Sequence, residues 1–477
     1  MAPFTGSPLT GFLVGTQQDD TYTGSISGVE TGASDSDEAS TAGIDGAFIK
    51  ALDGNDTVTS EISVSDVPAY GLLESVIQTD RGSDTVRLSG SGDGGPGYGA
   101  SQGSISTGFG SDTLSASGSS SDSGVRFSSG SGTGYGLEDI FVSTEAGDDS
   151  ITLSGFGFGR ASFGGGSGTG YGSSGATIDA GVGNDILSIS GSGNGSADES
   201  IGTGIGYGVS GGSVIAGDGN DRLTLSGRGD GSGTSGRGEG YGVSQATINA
   251  GGGDDVLSIT GSGIGGGFFG SGISIGYGAF EAFINTSGGA DSLSFLGTGE
   301  SNPGFDTGQE PQGYGAFKSK IFTGQGDDDL VISGTLENLD GDLGEEFAVL
   351  GYGLFESTVR SGEGNDTITV SGTTFGIQDS LLGGGTGDDT FNVGTGSGTI
   401  QGGQGTDSIV FNYFELDANN KLINLTVSAG SNSEIVIAGT TDNLGNSNSW
   451  RQTIKNVEVF QVGETTYSAS ELVSTFG

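Results

Sequence analysis

Apolar side chains recur along this chain at fixed distances from one acidic position. Aligned on Asp56, Asp84, Asp112, Asp149, Asp185, Asp221, Asp255, Asp291, Asp328, Asp366, Asp389 and Asp407, the residue two places later is always apolar, from Val58 and Val86 to Phe391 and Ile409. Four places later it is apolar in every copy but one, Ser60. Seven places earlier stand Ile49, Ile77, Ile105, Val142, Ile178, Val214, Ile248, Ile284, Ile321, Val359, Leu382 and Ile400. The residues between are mostly Ser or Thr. Alternation with period two marks a half-buried β-strand, and the density of Gly excludes a helix. Each unit therefore reads strand, Gly-rich acidic turn, strand.

The Asp spacings are 28, 28, 37, 36, 36, 34, 36, 37, 38, 23 and 18 residues. Nine of the twelve Tyr stand fourteen places before the Asp, from Tyr70 to Tyr352, and that separation never varies. All length variation falls in the Ser/Gly stretch after the second strand, as in SGSGNGSADESIGTGIGYG. Self-similarity at this period predicts a repeat architecture. Coils that stack must hold register, whereas loops that leave the stack need not. The expectation is an all-β parallel solenoid of about twelve coils, a rod roughly 55–60 Å long at ~4.8 Å per coil. In it the apolar columns form a thin core, Tyr forms a stacked row, and the Ser/Gly stretch is an outer loop. Asp20, 36 residues before Asp56, reads as a degenerate first copy.

Composition changes this picture less than it first suggests. Only 31% of the residues are hydrophobic and 104 are Gly, which without the repeat would read as disorder. The net charge is −45, a surface that repels nucleic acid and anionic lipid and attracts cations. There is no Cys and no His, which removes disulfides, Ser-His-Asp triads and most zinc sites. No apolar run is long enough for a transmembrane helix, and the first residues, MAPFTGSPLTGFLVG, make a poor secretory signal.

The acids need an explanation of their own. Stacked in register, the twelve Asp form a line on one edge, and carboxylates about 5 Å apart repel by roughly 1 kcal/mol in water and more in a partly buried turn. Lys cannot neutralise them, since none occurs between Lys50 and Lys318. A bound Ca²⁺ can, because it accepts carboxylate and backbone carbonyl oxygens in flexible geometry. The bland alternative is that Gly and Asn are there only as good turn residues.

The turns AGVGND, AGDGND, AGGGDD, TGQGDD, SGEGND and GGTGDD share the order G-x-G-[ND]-D. Two stretches, GGTGDDTFN and GGQGTDSIV, match the nonapeptide GGxGxDxUx in full and lie 18 residues apart. Over residues 49–411 the chain thus resembles the RTX, or hemolysin-type calcium-binding, β-roll family. The resemblance implies that calcium is shared by each Asp, its neighbour and the turn carbonyls. The implied metal residues are the twelve Asp, with Gly181, Gly183, Gly217, Gly219, Gly251, Gly253, Gly324, Gly326, Gly362, Gly364, Gly385, Gly387, Gly403 and Gly405. A β-roll carries the motif at every half coil; here the other half is the Ser/Gly stretch, so one calcium row is expected. The turns TEAGDD, TSGGAD and DRGSD depart from the pattern and are expected to be weak sites.

Residues 412–477 leave the repeat and read as a β cap, with a tail resembling the type I export signal of RTX proteins. Residues 1–48 read as an acidic segment with that possible first coil. The expected function is a secreted, calcium-dependent structural protein of a fibre or surface layer at the cell surface, self-associating end to end or laterally. It is similar to oscillin-like calcium-binding surface proteins of cyanobacteria. The alternative is an adhesin or glycan-binding module that meets cell-surface polysaccharide through its Ser/Thr rows. An enzyme is not expected: Glu345 and Glu346 are a pair of acids suited to a polysaccharide-processing site, but no cleft-forming segment accompanies them.

Overall fold

The strand after each aligned Asp pairs in parallel with its counterpart one unit later. Ile186–Ala197 lies between Ser150–Ala161 and Arg222–Gly233, with Leu187 level with Ile151 and Leu223. The Tyr strand and the short strand after it build a second sheet in the same way. Gly166–Ser174 lies between Gly130–Ser143 and Gly202–Ser210, and Thr177–Val182 pairs with Ser213–Asp218. This computed structural model is thus a parallel β-solenoid, described for residues 3–6, 9–27, 42–123, 129–162, 164–267, 272–301, 310–337, 350–414, 424–431, 434–443 and 446–477.

The core is the one the alternation predicts. The columns at seven before and two after the Asp are 0–1% exposed in all twelve units. At four after, Ser60 is buried too, and its hydroxyl donates to the carbonyl of Gly71 at 2.6 Å. The Tyr row is a continuous stack from Tyr70 to Tyr352, ring centroids 4.6–5.5 Å apart. It lies on the outer face of its sheet, because the alternate residues, such as Gly170 and Gly172, point at the opposite sheet.

Two expectations are corrected. The Ser/Gly stretch is not an outer loop. In SGSGNGS and GTGIGYG every second residue is Gly, and those glycines are the inward positions of two stacked strands. Gly191, Gly193 and Gly195 sit level with Gly227, Gly229 and Gly231 of the next coil. An ideal Cβ on them would lie 1.9, 2.1 and 2.0 Å from the carbonyl oxygens of Tyr207, Ile205 and Thr203. The two sheets therefore touch backbone to backbone, and a side chain cannot enter. Length variation mainly sets how far this glycine lobe extends: in the 18-residue unit the strand after Asp389 has four residues, Thr390–Val393, against twelve in Ile186–Ala197. Gly193→Val is expected to cost about 3 kcal/mol or more, read as a lower urea midpoint, whereas Ser192→Val on the outer face should cost under about 1 kcal/mol.

The number of coils also differs from twelve, because strands join at both ends. Thr21–Ser27 pairs with Thr57–Ser65 and buries Tyr22 fully. At the other end Ile454 lies level with Ile400, and Phe460 with Ile409. The stretch Ile454 to Phe460 is three residues shorter than Ile400 to Ile409, so its turn is cut back. Beyond it, Ile435–Asn443 and Leu425–Ala429 add antiparallel strands, and Ala469–Phe476 forms a helix closed by a capping box at Ser468.

Candidate cation site: a buried carboxylate ladder

The turn glycines set the geometry. Gly217 and Gly219 hold φ of +115° and +146°, and an ideal Cβ on either would sit 1.7 Å from the carbonyl oxygen of the equivalent glycine one coil earlier, Gly181 or Gly183. Every glycine that the resemblance implicates has positive φ, and nearly all make this close approach. The irregular turns keep the same path: Glu145 and Ser287 take the first glycine's place at φ +63° and +68°.

The sequence expectation puts the twelve Asp on an edge. The structure brings all twelve into one ladder but buries them, at 0–2% exposure. Each backbone N–H donates to Oδ1 of the Asp one coil later at 2.7–3.0 Å, unbroken from Asp56 to Asp407. The ladder runs on at both ends. Asp20 donates to Asp56 at 2.7 Å, and Asp407 donates to Oε2 of Glu458 at 2.9 Å. Glu458 is thus a further rung that alignment on Asp missed. Its signal is present in NVEVF, an acid two places before a core aromatic. Glu458→Ala is expected to strand the Asp407 amide and fray the last coil, lowering hydrogen-exchange protection at Thr390–Val393 and Ser408–Phe411 while the central coils keep theirs.

A second ladder, unforeseen in the sequence, uses the residue just before the Asp and runs the opposite way. The amide of Asn184 donates to Oδ1 of Asp148, that of Asn220 to Asn184, and that of Asp254 to Asn220, at 2.8–3.0 Å. It is solvent-exposed, and Asn serves in it as well as Asp. This is why eight of the twelve turns end in N-D or D-D, with two side-chain oxygens to cap two backbone amides; Ser83, Ser111, Ala290 and Thr406 stand in the other four. Turn chemistry thus explains Oδ1 of each buried Asp without any metal.

It does not explain Oδ2. In all twelve rungs Oδ2 is buried and has no hydrogen-bond partner. It faces the residue five places earlier: an ideal Cβ on Gly384 would lie 2.0 Å from Oδ2 of Asp389, and one on Gly402 2.3 Å from that of Asp407. This column holds only Ala, Thr, Ser or Gly. Most of its hydroxyls donate onward, as Thr79 does to the Thr107 carbonyl at 2.7 Å and Thr323 to that of Ser361 at 2.8 Å, while the Thr or Ser beside Asp84, Asp112, Asp149, Asp291, Asp328 and Asp366 also opposes the rise in that acid's pKa. Burial therefore raises the pKa of all twelve acids. Asp112, Asp185, Asp255 and Asp389 are pushed up to about 7, and Asp56 and Asp328 to about 6. Charge on neighbouring rungs adds to the rise, and the donated amide opposes it.

An orphaned, buried carboxylate oxygen in every turn needs a proton or a cation. The donor chemistry fits a hard cation such as Ca²⁺, with carboxylate oxygen supplemented by backbone carbonyls. Among the described residues no three His, Cys, Asp or Glu side chains cluster, so the carbonyls would have to supply most of the ligands. No protein-family model matches the chain, and no curated protein matches it. The fold defines its class, a parallel β-solenoid.

Proposed function

We propose that the chain is a calcium-stabilised structural rod that works outside the cell as a subunit of a surface layer or fibre. The observation that carries this reading is the twelve-rung ladder with one unpartnered carboxylate oxygen per rung. Twelve buried acids without bases suit a setting where millimolar divalent cation is always present, and a rod of nearly continuous repeat suits a structural role. The ladder acids are committed to backbone amides, which speaks against their acting as paired catalytic carboxylates. Glu345 and Glu346 lie outside the described residues.

The ends favour one mode of assembly. Glu458, the antiparallel strands and the terminal helix cover the last coil, so side-by-side contact is the better proposal than stacking through that end. Ser and Thr columns such as Ser188, Thr224 and Ser258 line the outer face available for it. A glycan-binding module is the second reading. The Tyr row supports it poorly, since interplanar angles of 2–17° leave ring faces covered by neighbouring rings rather than open to a sugar. Electron microscopy and light scattering of the full chain should show laterally associated rods in millimolar calcium. Monodisperse monomers under that condition would count against the surface-layer reading.

A further inference from the structure

One outward column, six places before the ladder Asp, changes character near the capped end. In consecutive coils it reads Phe322, Arg360, Gly383, Gln401 and Lys455. Gly383 leaves a gap there: the nearest atom to an ideal Cβ is Cγ of Arg360, 3.8 Å away. Asn456, in the shortened last turn, lines the same space. The result is a groove of about 440 Å³ between Arg360 and Leu381 on one side and Gln401, Gln404 and Asn456 on the other. A volume of this order is in the range of small-ligand sites.

Arg360, like Arg81, Arg87, Arg222, Arg228, Lys320 and Arg451, takes part in none of the ion pairs among the described residues, and it is the one of these that lines this groove. Lys455, three coils on, pairs with Glu434 at 2.9 Å. The backbone positions of Arg360 and Lys455 are thus about 14 Å apart at ~4.8 Å per coil. Between them lie carboxamides, which can both donate and accept, over a glycine floor that lets a ring approach the backbone. Leu381 offers an apolar contact.

We propose that this groove binds a carboxylated saccharide, with the Arg360 guanidinium on a ring carboxylate and the amides of Gln401, Gln404 and Asn456 on hydroxyls. A guanidinium matches a carboxylate through two parallel hydrogen bonds. Amides placed around a shallow apolar contact are how polyols are oriented. Binding of this kind deepens the glycan-binding reading; because Gly362, Gly385 and Gly403, implied calcium residues, also line the groove, affinities are compared at one saturating calcium concentration.

The test is calorimetric titration of the full chain, in saturating calcium, with a tetrasaccharide alternating glucuronate and N-acetylglucosamine. Tetra-N-acetylglucosamine is the neutral reference. The acidic sugar should bind at least tenfold more tightly than the neutral one. Arg360→Ala and Gly383→Leu should each weaken it at least tenfold, while Arg160→Ala, which breaks a remote ion pair, leaves it unchanged. Gly383→Leu fills the groove from a position with room for a side chain; should its melting curve shift, Gln401→Ala replaces it. No binding, equal affinity for both sugars, or binding indifferent to Arg360→Ala overturns the proposal. A melting curve indifferent to calcium would contradict the cation reading alone, and the sugar affinities would still decide whether the groove binds.

Discussion

Replacing Asp185, Asp221, Asp255 and Asp291 together by Asn is expected to stabilise the chain in chelator and destabilise it in calcium. The carboxamide keeps the Oδ1 that accepts the amide of the preceding coil. Asn184 and Asn220 already do this in the exposed ladder. What changes is Oδ2. In chelator the wild-type rung must bury a charge or retain a proton, and the neutral amide has no such penalty. The gain is about 1–3 kcal/mol per rung, reduced where the new NH₂ finds no acceptor. In calcium each substituted rung loses a charged ligand, so the midpoint should fall below wild type. Asp255→Ala separates the two roles of the side chain: it strands the buried amide of Asp221 and should cost about 1–3 kcal/mol more than Asp255→Asn in either buffer. Urea titrations in calcium and in chelator read both effects, and a quadruple Asn variant weaker than wild type in chelator would contradict the role assigned to Oδ2.

The second large effect is on pH. Folded-state pKa values of the ladder lie above the unfolded value, so the folded chain holds more protons between them. Stability from this source is fully present below the ordinary Asp pKa, about 4, and is lost as pH rises through the raised values. For Asp112, Asp185, Asp255 and Asp389 that window ends near pH 7, and for Asp56 and Asp328 near pH 6. In chelator the melting temperature should therefore fall from pH 5 to pH 8. Each additional proton held by the folded chain contributes about 1.4 kcal/mol per pH unit. Calcium should flatten the curve by replacing the protons. A melting temperature that rises with pH in chelator would mean that the carboxylates are stabilised by groups of the chain itself.

The fold was legible because its columns obey fixed offsets. Ile178, Leu187 and Ile189 could be placed from their spacing, and all are buried as expected. The glycine lobe was not, since Gly-x-Gly reads as loop when only apolar residues are counted as inward. Its period-two pattern was in view, with glycine as the inward residue. The Asp column was placed in the right register and given the wrong exposure, because its partner is a backbone amide and amides leave no trace in sequence. Glu458 escaped alignment through a changed residue type and a turn three residues shorter. The metal role of the Asp and turn glycines rests on the resemblance and on the orphaned Oδ2 atoms, and it stands as the proposal.

The most direct test of that proposal counts calcium and protons together. Titrating the folded, chelator-washed chain with calcium at pH 6.5 under pH-stat should release protons in step with calcium uptake, saturating at no more than one ion per rung. The quadruple Asn variant should take up about four fewer ions if each rung holds its own, and release correspondingly fewer protons. A chain that stays folded at pH 8 in chelator, and neither retains calcium nor releases protons, would contradict the account.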